Sequence, residues 1–131
     1  MKNELRINPL LSIAADIAGR THGLCSVGPG PGGIGISNPP VSEITLMLSL
    51  DPVRVSRGKA MGFTASVSAV CRASRAVLSD ADLQRLLSGC GCITRDLAET
   101  ALYFSGRSFY IPAYDYYHAF SYLAETEMNA L

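Results

Sequence analysis

Ser56-Arg-Gly-Lys-Ala-Met-Gly-Phe-Thr-Ala-Ser-Val-Ser-Ala-Val-Cys-Arg-Ala-Ser-Arg-Ala-Val-Leu78 forms the middle of the chain, and its reading decides the fold. Phe63, Val67, Val70, Ser74 and Val77 recur at steps of three and four, the spacing of one helical stripe. Gly62, Ser66, Ala69 and Ala73 would then form a second face with little side-chain bulk. Phe63, Ala65, Val67, Ala69 and Cys71 also alternate, as a strand would. The length of the run and its alanine content favour the helix. The expectation is one long central helix over 56–78, on which the rest packs.

Leu10, Ile13, Ala14, Ile17 and Ala18 share one face of a short helix, with Asn8 as its cap and Pro9 at its first position. Five glycines and four prolines between Ser26 and Pro40 predict a long loop. Glu43 to Leu50 reads as a strand closed by Asp51-Pro52, with Val53-Arg54-Val55 turning back from it. Ser79 caps a helix carrying Leu83, Leu86 and Leu87, and Thr94 caps another that runs to Phe104. Pro112 opens a last helix, with Tyr117, Phe120, Ser121, Ala124, Met128 and Leu131 on its inward face. The predicted fold is a single helix-rich α+β domain over 1–131. About five helices surround the central one, and one short strand or hairpin lies near 43–55.

At 131 residues the chain can bury a core without staples. Charged residues make up only 17%, while 48% are hydrophobic, so some surface is expected to be covered by a partner. The expected cover is a second copy, giving a homo-oligomer; another protein is the alternative. The net charge is zero, but Arg54, Arg57, Lys59, Arg72 and Arg75 lie in an interval without acids. They form a candidate anion contact. Nucleic acid is not expected, because a clearly basic domain would be needed. The polar start Met1 to Arg6 is unlike a secretory leader, and no apolar run reaches membrane length. A cytoplasmic location is expected.

Cys25-Ser-Val-Gly-Pro-Gly30 resembles, over six residues, the phosphate cradle of the tyrosine phosphatases. Leu24 and Pro31 stand where that family has His and the phosphate-binding Arg, so no phosphate site carries over. Arg20-Thr-His-Gly23 is similar to a tetrapeptide of the fumarase-like lyases, without that family's helical bundle. Cys90 and Cys92, with His22, Cys25 and Cys71, could in principle supply the four soft ligands of a zinc set, His22, Cys25, Cys90 and Cys92 first among them. Only one tight cysteine pair exists, where structural zinc sites show two, so no metal and no cofactor is expected.

Nine of the ten aromatics fall between Tyr103 and Tyr122. Tyrosine combines an apolar body with a polar tip, which suits interfaces and half-wet pockets. Arg107, Tyr110, Tyr114, Tyr117, His118 and Phe120 are the candidate binding residues. No nucleophile–base pair is readable. The expected function is a non-catalytic interaction or assembly protein with a tyrosine-rich C-terminal surface. The alternative is a small enzyme or a protein binding a small-molecule ligand, with a pocket between the 26–40 loop and the Tyr/His C-terminal segment and with His118 and Arg107 as its polar groups.

Overall fold

A computed structural model describes residues 7–30, 32–38, 40, 42–89 and 91–130. Two long strands, β3 (Ile44–Ser56) and β4 (Lys59–Cys71), form one antiparallel hairpin in register from Ile44↔Cys71 to Ser56↔Lys59. The central helix expected over 56–78 is therefore replaced by a turn, a strand and a further turn. Only two residues, Arg57 and Gly58, join the strands, and both take positive φ (52° and 79°). That is the backbone a two-residue type I′ hairpin requires, and its twist matches that of the strands.

Period two also governs burial along β4. Ala65 is 0% exposed, Val67 4% and Ala69 1%, while Ser66 and Ser68 between them are half-buried. The helical stripe was an accident of spacing, because a step of four satisfies both periods. Thr64, Val67 and Val70 are β-branched and prefer the pleated surface. Strand β3 also runs further than expected. Val53 to Val55 continue it, because Pro52 occupies a register position whose ring nitrogen points away from β4 and costs no ladder bond.

Strand β5 (Phe109–Pro112) pairs with β4 from Gly62↔Pro112 to Ala65↔Phe109, giving the sheet order β3-β4-β5. The segment expected as a loop pairs with itself instead. β1 (Ser26–Gly30) and β2 (Gly33–Ser37) make a second antiparallel sheet. Pro31, within the expected loop, lies outside the described residues. Four helices complete the described chain: α1 (Pro9–Arg20), α2 (Asp80–Leu87), α3 (Cys92–Phe104) and α4 (Ala113–Ala130). Four helices and five strands, 41% helix and 35% strand, make a mixed α+β fold and not a helix-rich one.

Residues directly opposite in an antiparallel pair share a face. One face of the larger sheet carries Ile44, Leu46, Ala65, Val67, Ala69 and Ile111, all buried. The apolar sides of α1 (Leu10, Ile13, Ile17) and α3 (Leu97, Ala98, Ala101, Phe104) close on it. The other face carries Thr45, Met47, Ser49 and Asp51, then Ser68, Ser66 and Thr64, then Tyr110. The described helices cover one side only, and the second side carries small hydroxyls that water can satisfy, with Met47 and Tyr110 among them. Gly62 leaves room on that side, and the Tyr110 ring lies where its Cβ would be.

Two caps hold as the sequence predicts. Pro9 stands at the first turn of α1, and Asn8 accepts hydrogen bonds from the Leu10 and Leu11 N–H groups at 3.0 and 3.3 Å. Ser79 and Asp82 form a reciprocal capping box on α2. The cap of α3 is Gly91, not Thr94, whose hydroxyl instead lies 2.9 Å from that of Ser42. Asn8 does a second job: its amide donates to the Asp115 carbonyl in α4 at 2.8 Å. One buried side chain thus starts α1 and fastens it to α4.

The hairpin turn and this clamp are open to test. Arg57→Asn puts a residue tolerant of positive φ into the turn and is expected to raise stability by about 1 kcal/mol. A lower urea midpoint for this variant would contradict the turn geometry. Asn8→Asp keeps the cap acceptor but loses the donor to Asp115. It is expected to fall between wild type and Asn8→Ala, which loses both and should cost about 1–2 kcal/mol or more in the same titration.

Candidate functional site

Helix α4 divides the aromatic segment between two environments. Asp115, Tyr116, Ala119, Phe120 and Leu123 turn toward the protein, and Tyr114, Tyr117, His118, Ser121 and Tyr122 face outward. The inward face expected from the sequence is therefore rotated, because Tyr117 and Ser121 are exposed while Tyr116 takes the inner place. The Met128 side chain and Leu131, expected on that face, lie outside the described residues. Tyr116 packs against Phe63 of β4 with ring centroids 4.5 Å apart, and its hydroxyl lies against Gly33 of β2. Burial, and to a lesser degree neighbouring Tyr117, pushes the Tyr116 phenol above its usual pKa.

The six candidate binding residues therefore fall in different settings. Tyr114, Tyr117 and His118 share the solvent side of α4, with the Tyr114 and His118 rings parallel at 6.2 Å. The His118 Nδ1 atom lies 3.4 Å from the Asn8 amide nitrogen. Tyr110 stands on the outer face of the sheet, its hydroxyl donating to the Met61 carbonyl at 3.3 Å. Phe120 packs against the core beside Tyr116. Arg107 is turned back on α3: its Nε donates to the Tyr103 carbonyl at 2.7 Å, and its guanidinium lies over the Tyr103 ring. Arg20 covers the same ring at 3.3 Å from the centroid. The Arg20 contact thus joins α1 to the end of α3 through the Tyr103 ring, and Arg107 adds a second cation to the same ring.

The five basic residues divide between the two ends of β4. Arg54, Arg57 and Lys59 sit at the hairpin tip, and Arg72 and Arg75 lie beyond its other end. At about 3.3 Å per residue the two groups are roughly 40 Å apart. Arg72 reaches the segment just before β3, its Nε donating to the Ser42 carbonyl at 3.0 Å. The conceivable zinc set is likewise dispersed. Cys25 is buried under α1, and His22 and Cys92 are exposed, with the His22 Nε2 atom 3.8 Å from Asp96. Cys90 lies outside the described residues. Among the described residues, no three His, Cys, Asp or Glu side chains gather as a metal site.

A cleft of about 250 Å³ does lie between the β1–β2 hairpin and α4. Ser26, Val27, Gly28, Pro29, Ser37, Leu123 and Thr126 line it, and neither His118 nor Arg107 does. It offers hydroxyls and apolar surface but no acid–base group.

One chemically distinct side chain was not singled out by sequence reasoning except as a soft ligand. Cys71 ends β4 in a tight turn, where Arg75 N–H donates to its carbonyl at 2.8 Å. The Ser74 hydroxyl, then the Ser74 and Ala73 N–H groups, converge on its sulfur and hold the thiol below its usual pKa. Partial burial and Glu43 oppose this. Cys25 is the reverse case. Burial pushes its thiol up, offset in part by a hydrogen bond with the Thr21 side chain. The run Cys71-Arg-Ala-Ser-Arg75, a cysteine opening a short polar turn, was the signal available in the sequence.

The chain matches no known family, no curated protein and no solved structure. Among the described residues, no helix is long and apolar enough to cross a membrane.

The two thiols should separate by reactivity. With iodoacetamide at neutral pH, Cys71 is expected to be carbamidomethylated well before Cys25, as read by peptide mass spectrometry. The pH midpoint for Cys71 labelling is expected below the ordinary thiol value of about 8.5. A midpoint above it would show that the turn does not stabilise the thiolate.

Proposed function

We propose that this is a non-catalytic interaction protein that uses the outward tyrosine face of α4 to bind a second copy of itself. One observation carries the reading. Tyr114, Tyr117 and Tyr122 are 70%, 58% and 54% exposed along one side of a single helix. A helix that has already buried Tyr116, Ala119 and Leu123 against its own domain has no folding reason to keep three large rings in water. Tyrosine is the side chain most often found at the centre of protein contacts, because its ring is large, stiff and tipped with a hydroxyl. The lean charge of the chain points the same way.

A second copy is the simplest occupant, since a twofold contact lays the same strip on itself. Acidic charge on the strip is sparse, with Glu125 at its far end, so two copies meet with little repulsion.

The reading is tested by mass in solution. Wild-type protein is expected to sediment above the monomer mass of 13.9 kDa at tens of micromolar. Tyr114→Glu with Tyr117→Glu is expected to return it to monomer without lowering its melting temperature, because both rings are exposed. A wild-type protein that remains monomeric at millimolar concentration would overturn the proposal.

A further inference from the structure

Strand β4 has a stretch of edge that none of the described residues fills. The Arg72 N–H donates to the Glu43 carbonyl, in step with the β3–β4 register. Even-numbered residues of β4 therefore bond to β3, and odd-numbered ones face the opposite edge. On that edge Phe63 and Ala65 are paired with Ile111 and Phe109. Further along, the Ala69 carbonyl accepts from Leu78 N–H at 2.9 Å, next to an isolated bridge between Val70 and Val77. Between these two closures lie the Val67 N–H, the Val67 carbonyl and the Ala69 N–H. Strand β5 cannot reach them, because the Arg107 N–H turns back to the Phe104 carbonyl at 3.0 Å.

A cleft of about 380 Å³ opens in front of these groups. Leu83, Ala101 and Phe104 form its floor, and Ser105, Ser108 and Asp80 stand on its rim. Val67 and Ala69 both line this cleft, so their edge donor and acceptor face whatever enters it, water or a ligand.

The opposite edge of the sheet shows how such a pair is satisfied. There the Ile44 carbonyl and the Leu46 N–H stand in the same relation as the Val67 carbonyl and the Ala69 N–H. The Asn38 side chain bridges them, its oxygen accepting from Leu46 N–H at 3.3 Å and its nitrogen donating to the Ile44 carbonyl at 3.5 Å. A primary carboxamide carries one acceptor and one donor side by side, at the spacing of a strand edge. A carboxylate would turn an acceptor toward the Val67 carbonyl. It would also approach Asp80, which already accepts from the Ser105 hydroxyl at 2.6 Å.

We propose that this notch binds a carboxamide, the side chain of asparagine or glutamine, across the Val67 carbonyl and the Ala69 N–H. The site is separate from the tyrosine face and does not depend on it. The carboxamide comes from free amino acid or from a residue carried on another chain.

Backbone amide spectra of ¹⁵N-labelled protein test this. The probes are free L-asparagine and L-glutamine in one arm and the blocked peptide acetyl-Ser-Gln-Ser-methylamide in the other. L-Glutamate, L-leucine and acetyl-Ser-Glu-Ser-methylamide are the controls. Saturable shifts at Val67 and Ala69 are expected from at least one amide arm, with at least tenfold weaker binding by its carboxylate counterpart. The tighter arm identifies the source. Ala101→Leu, which fills the floor, is expected to abolish the shifts; the wild-type titration stands alone if that variant does not fold. No localised shift from any amide probe, or equal shifts from glutamate and leucine, would overturn the proposal.

Discussion

Everything in the larger sheet follows from the register of β3 on β4, and that register hangs on two residues. With Arg57 and Gly58 as the whole connection, Ser56 must pair with Lys59, and the later pairs follow in the same register, with a break only at Arg54, whose φ is 53°. A slip of one residue would turn Leu46, Val67 and Ala69 to the hydroxyl face and bring Ser66 and Ser68 into the core. The core contacts of α1 and α3 depend on that choice, since Leu97, Phe104 and Ile17 meet the face that holds Val67. The strain of positive φ at Arg57 is thus carried by many rows of correct pairing.

A second dependence runs through Asn8. Its side chain caps one helix with its oxygen and holds a second helix with its nitrogen. The two roles use the amide in opposite senses, so no single charged or apolar residue can replace it. Helix α4 is in turn held from beneath by Tyr116 against Phe63 and Gly33, which orients its remaining tyrosines outward. The exposed strip is therefore a consequence of how the inner strip is anchored.

Much of the local structure was legible in the sequence. Asn8-Pro9 and Ser79 to Asp82 announced two helix starts, because capping chemistry is local. The strand from Ile44 was visible as an apolar run. The strand nature of 59–71 was present as alternation but masked by alanines and by the shared step of four. The Arg57-Gly58 turn was the better signal, because it sits between two runs of strand composition. The segment 26–40 misled for another reason. Pro29 and its glycines suit a two-stranded ribbon, where half the backbone groups face away from the partner. At the candidate site, the clustering of aromatics was legible, but the rotation of α4 that buries Tyr116 and exposes Tyr117 was not. That choice was made by Phe63 and Gly33, both distant in sequence.

The reach of β5 is short beside the strands it joins. It supports β4 only from Gly62 to Ala65, so among the described residues the hairpin beyond it projects as a two-stranded ribbon with Val55 and Met61 exposed. Two-stranded ribbons hold poorly by themselves. Local opening should therefore be easiest at Arg57 and rarest near Ala69, a gradient of rigidity along one pair of strands. The tip can bend or be gripped while the base stays fixed, so the hairpin is a lever whose fulcrum is the Ala65–Phe109 pair.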